Sequence, residues 1–120
     1  MKMPKPTEAD RERFAALVPD RPHVEVKPVF GNLGAFVNGN MFMGLFGSDV
    51  GIKLPDDDQQ RLLTEPGTGP FGPHERPMAG YVTIPADWAP GTASEWIGRS
   101  LSHVASLPPK KPKAPAKRRG

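Results

Sequence analysis

The chain has 120 residues, no cysteine and 16 prolines, and 37% of its residues are apolar. That length holds one domain with a modest core, and the lack of cysteine excludes disulfides, thiol catalysis and cysteine-ligated zinc. The net charge of +3 averages two unlike parts: six cations lie beyond Leu107 with no acidic residue among them, and removing them from the total leaves −3 for residues 1–107.

The basic, proline-containing start, residues 1–6, is followed by no apolar run of the kind a signal peptide needs. Residues 28–48 carry almost no charge, but glycine and asparagine interrupt them too often for a membrane helix. A cytoplasmic protein with no membrane insertion is expected.

Three regions follow from composition: a flexible N-terminus over 1–6, an α+β domain over 7–107 and a disordered basic tail over 108–120. Thr7 and Asp10 have capping-box spacing, and Phe14, Leu17 and Val18 then share one face, which predicts a helix over 7–18 ended by Pro19. Residues 24–29 alternate as a strand, with Pro28 marking an edge or an end. A second strand over 35–37 runs into Asn38-Gly39, a pair suited to the two positive φ values of a type I′ turn, and returns over 41–46. Gly47-Ser48-Asp49 turns the chain into a fourth strand over 50–54.

A short helix is expected over 56–64, with Gln59 at its capping-box position. A Gly/Pro-rich loop follows over 65–77, then a fifth strand over 78–84. Thr92 and Glu95 read as the cap of a last helix whose apolar face holds Trp96, Ile97, Leu101 and Val104, and Pro108-Pro109 stops it. The order α-β-β-β-β-α-β-α predicts a two-layer α+β fold. Three helices pack on a five-stranded sheet that is antiparallel or mixed.

The return strand, Met41-Phe42-Met43-Gly44-Leu45-Phe46, is apolar on both faces. Helices cover one sheet face, so the other, with Phe36, Phe42 and Phe46, is a candidate face for a protein partner or a second copy.

Motifs that would carry chemistry are incomplete. Residues 67–72 match the letters of GxGxxG, but they follow a helix, open none, and lose two amide donors to Pro70 and Pro73. Asp56, Asp57 and Asp58 suit the start of a helix and lack the alternation and distal Glu of a calcium loop. His23, His74 and His103 stand alone, and no serine sits in a nucleophile elbow. No cofactor or metal is expected. His74, Glu75 and Arg76 are the candidate polar residues of a pocket beside the 65–77 loop. Lys110, Lys111, Lys113, Lys117, Arg118 and Arg119, separated by prolines, are candidate contacts to nucleic acid through counterion release.

Residues 29–42, Val-Phe-Gly-Asn-Leu-Gly-Ala-Phe-Val-Asn-Gly-Asn-Met-Phe, resemble the signature of the TfoX/Sxy N-terminal domain family. Gly51-Ile52-Lys53-Leu54, the segment from Arg76 through Tyr81 to Pro85, and the Trp96 helix match later family segments in the same order. The resemblance spans about residues 8–107. It implies an α+β fold, frequent dimers and no known catalysis, in a family linked to regulation of DNA-uptake competence alongside a transcription activator. Full-length members carry a second, helical domain where this chain has its basic tail. The expected function is therefore a stand-alone, non-enzymatic regulatory or interaction module. The alternatives are a nucleic-acid-associated accessory protein acting through its tail, and a small-molecule binder or enzyme at the 65–77 loop.

Overall fold

The computed structural model describes residues 5–29, 31–73 and 75–108. It holds three helices, α1 (Glu8–Leu17), α2 (Asp56–Leu63) and α3 (Pro90–Ala105), and six strands. The strands are β1 (Val24–Val29), β2 (Asn32–Val37), β3 (Asn40–Phe46), β4 (Asp49–Lys53), β5 (Gly69–Pro70) and β6 (Tyr81–Ile84). They form one sheet in the order β1-β2-β3-β4-β6-β5, antiparallel at every step. The α+β class is as expected, and the sheet is antiparallel, not mixed. It has six strands where five were expected, because Gly69 and Pro70 pair with Thr83 and Val82 on the outer edge of β6. Proline is tolerated there because an edge strand has a side with no neighbour to donate to.

Local signals account for most element boundaries. Thr7 caps α1, its hydroxyl accepting from the Asp10 amide while the Asp10 carboxylate accepts from the Thr7 amide. Those bonds hold the Asp10 carboxyl below its ordinary range, chiefly through the Thr7 backbone N–H. Asn38 and Gly39 have φ of 54° and 81°, the left-handed pair a type I′ turn requires. The last helix departs from expectation. It starts at Pro90 with Ala89 as N-cap, two residues before Thr92, and has no side-chain cap. Proline at the first helical position has the right φ already and no N–H to leave unsatisfied, so it starts the helix without a hydroxyl.

Helices cover one face of the sheet. Phe14 of α1, Leu62 of α2 and Ala93, Ile97 and Val104 of α3 are buried in one cluster with Ala35, Met43, Ile52 and Val82 from neighbouring strands. Trp88 and Trp96 pack partly buried against this cluster. The buried Ser100 hydroxyl of α3 donates to the Phe42 carbonyl at 2.7 Å, tying helix to sheet.

The register of β2 against β3 slips at this point. Ala35 pairs with Met43 and Phe36 with Met41, so Phe42 is an extra residue in β3. A bulge of this kind breaks the simple alternation of faces. Phe42 accordingly joins Met43 in the helix-covered core, fully buried, and does not share the second face with Phe36 and Phe46.

Candidate functional site

Past the bulge the alternation places three glycines in one row on the opposite face: Gly34 pairs with Gly44, and Gly44 with Gly51. Side chains are missing along that row, so the sheet carries a trough. Phe71, from the segment after β5, lies in it. A Cβ at Gly51 would overlap the Phe71 ring, and one at Gly44 would meet the ring at 3.3 Å. Phe71 is 2% exposed yet lies outside the helix-side cluster. Its ring meets Phe46 edge-on at 6.3 Å and Tyr81 at 6.1 Å between centroids. The aromatic contacts and the buried area hold residues 71–73 and 75–78 down as a partial lid. The amide of Met78 donates to the Phe71 carbonyl at 2.8 Å and closes the segment on itself.

Tyr81 crosses the same face. Its hydroxyl donates to the Met41 carbonyl at 2.7 Å, from β6 over β4 to β3. Burial pushes its phenol up to about 12. Lys27 and Lys53 place their ammonium groups 5.3 Å and 5.8 Å from the ring centres of Phe36 and Tyr81, and Lys27 also pairs with Glu25 at 3.4 Å, which gives the apolar face a charged border of both signs.

Between the lid and the sheet is an open groove of about 460 Å³. Val29, Met41, Gly44 and Phe46 contribute its floor and one wall, and Phe71, Pro73, Pro77 and Met78 the other. The lining is almost wholly apolar, and Arg76 is its single charged residue among those described. Asn32, buried at one end, accepts the Gly47 amide at 2.8 Å and so secures the β3–β4 turn beside the groove.

The residues singled out from sequence are distributed unevenly over this geometry. Phe46 lines the groove, Phe36 is half-buried on the same face, and Phe42 is in the core. Arg76 lines the groove, whereas Glu75 is exposed and outside the lining; His74 lies outside the described residues. The six tail cations, Lys110 to Arg119, also lie outside them. The run Asp56–Asp58 sits in the first turn of α2, and Asp58 pairs with Arg61 and Arg99 at 3.6 Å and 3.8 Å. Among the described residues no group of three acidic or histidine side chains could hold a metal ion, and no helix is long and apolar enough to cross a membrane. The GxGxxG letters fall on the turn before β5, on β5 and on the start of the lid, and the next helix begins only at Pro90. Sequence reasoning missed Met41, Met78 and Phe71 as site residues. The one available signal was the spacing of Gly34, Gly44 and Gly51, which becomes a row only once the strand register is known.

An antiparallel sheet closed by helices on one side and by a single aromatic-anchored loop on the other defines a small two-layer α+β domain. The TfoX N-terminal domain model matches residues 9–104, and the chain belongs to that family. Neither the comparison with curated proteins nor that with solved structures yields a match.

Proposed function

We propose that this chain is a regulatory interaction module, not an enzyme, and that it holds a protein partner on the second face of its sheet. The carrying observation is the asymmetry of cover. One face is sealed by three helices, while on the other, among the described residues, Tyr81 and the residues flanking Phe71 and Met78 leave Phe36, Met41 and Phe46 half-buried. Partly covered aromatic and methionine side chains with a polar border are the composition of binding surfaces that turn over, where anchors exclude water and charged rims set orientation. Lys53 and the Lys27–Glu25 ion pair supply that rim and favour a partner with polar groups of both signs around an apolar centre. Membership of the TfoX N-terminal domain family agrees with a link to transcriptional regulation in the cytoplasm.

A second reading draws on the separation of charge in the sequence. The body is acidic overall and the six tail cations are uninterrupted by any carboxylate, the pattern of an arm that binds polyanions.

Affinity capture from native extract, with and without nuclease, tests both readings. The baits are the full chain, a Phe36→Glu variant and a chain ending at Leu107. A protein held by the full and shortened chains but released by Phe36→Glu supports the sheet-face reading. Capture that survives Phe36→Glu and is lost on shortening or nuclease treatment overturns it in favour of the tail. A doubled mass in light scattering that Phe36→Glu returns to monomer assigns the face to a second copy and overturns the heterologous partner.

A further inference from the structure

The groove under the lid has a chemistry narrower than a general docking face. Resting on the reading of the second face as the binding face, we propose that the groove takes a small anionic amphiphile: an apolar body of medium-chain or single-aromatic size bearing one carboxylate. The volume of about 460 Å³ lies at the lower end of the range for small-molecule sites. An apolar body fits because the walls offer water few partners, and water so poorly bonded is displaced at little cost.

The site is built before any ligand arrives. Its floor is sheet, and Gly44, with no side chain, is part of the lining. Its lid is fixed by Phe71 in the glycine trough, by the Met78 amide on the Phe71 carbonyl at 2.8 Å and by the Arg76 amide on the Pro73 carbonyl at 3.0 Å. A preformed pocket spares the ordering cost that weakens small ligands.

The sign of the headgroup follows from Arg76. It is exposed, it lines the groove, and its guanidinium makes no ion pair with a described residue. Among the described residues no carboxylate shares the lining. A guanidinium with no ion pair among the described residues, at the edge of an apolar pocket, presents a planar fork of donors suited to a carboxylate. The same charge repels a cationic ligand.

Methionine methyl NMR reads the site directly, because Met41 and Met78 line the groove while Met43 lies in the helix-side core. The full chain, labelled at its methionine methyls, is titrated with decanoate, decanol and decyltrimethylammonium, each below its aggregation concentration. Decanoate is expected to shift the Met41 and Met78 methyls and leave Met43 in place. Decanol should bind about tenfold more weakly, the worth of one charge-assisted contact, and the cation should bind more weakly than decanol. Arg76→Gln, at an exposed position that leaves the fold intact, should bring decanoate down to the level of decanol. Val29→Trp should fill the groove and abolish the shifts, with thermal unfolding as the check on its folding.

Equal affinity for decanoate and decanol in the unaltered chain, an unchanged preference in Arg76→Gln, or shifts confined to Met43 would overturn the proposal. Partner capture lost in Phe36→Glu with no decanoate binding ends the ligand assignment and leaves the interaction module standing. Decanoate binding with capture unchanged in Phe36→Glu does the reverse.

Discussion

Phe71 rests on Gly51, its ring filling the space that a side chain at that glycine would need. The contact joins a segment beyond β5 to the middle of β4 and makes the lid part of the sheet's packing. A methyl group at Gly51 must push the ring out of the trough. Gly51→Ala is expected to cost about 1–3 kcal/mol by overpacking and to loosen the groove. Gly44→Ala, where the ring and the Met41 methyl stand at 3.3 Å, should cost less. Gly98, within α3, has nothing within 4 Å of a new Cβ, so Gly98→Ala should stabilise by about 0.5–1 kcal/mol through helix propensity. Urea unfolding of the three variants checks the order and the change of sign.

Tyr81 is the chain's single tyrosine, so its ionisation can be followed by absorbance without overlap from another phenol. Burial raises its folded-state pKa to about 12 from the ordinary 10. A neutral acid whose pKa is raised on folding contributes stability that is fully present below the unfolded value and is lost as pH rises through the folded one. Tyrosinate absorbance in the native protein should therefore have its midpoint near 12. The melting temperature should fall over pH 10 to 12 more steeply in the natural chain than in Tyr81→Phe. A native midpoint at 10 would show the hydroxyl to be in water.

Ser100 and the Phe42 carbonyl form a buried bond at 2.7 Å at the β-bulge. Removing the hydroxyl deprives that carbonyl of this donor, and Ser100→Ala is expected to cost about 1–3 kcal/mol. Because the bond joins α3 to β3, amide exchange should quicken in both elements together.

Asn38 holds a left-handed φ of 54° in the β2–β3 turn. Asn38→Ala should destabilise by roughly 1 kcal/mol, since a Cβ-bearing residue without asparagine's local polar contacts is strained there. Asn38→Gly should be close to neutral. Chemical denaturation of the pair separates backbone strain from loss of the long 3.5 Å contact between the Asn38 side chain and the Ala105 carbonyl.

Much of the fold is legible in the sequence because its signals are local. Thr7 and Asp10 cap α1 within three residues of each other, and Asn38-Gly39 turns the hairpin with its own backbone. Pro19 lies just past the end of α1. The candidate site is legible only in fragments. Apolar surplus points to Phe46 and loop position to Arg76, and both line the groove, but in the sequence they belong to two separate features. Alternation along β3 put Phe42 beside them, because nothing in a run of apolar residues signals a bulge.

What the amino-acid order determined alone is the sequence of helices and strands, the antiparallel hairpins and the surplus of apolar residues that one layer of helices cannot cover. Short-range sterics and hydrogen bonds act between neighbours and are written in the order of residues. Only the tertiary structure decided that Phe42 turns inward, that Gly34, Gly44 and Gly51 align into a trough, and that Phe71 closes over it to leave an apolar groove with Arg76 in its lining. Those outcomes depend on strand register and on contacts between residues far apart in the chain, and no local pattern encodes a register.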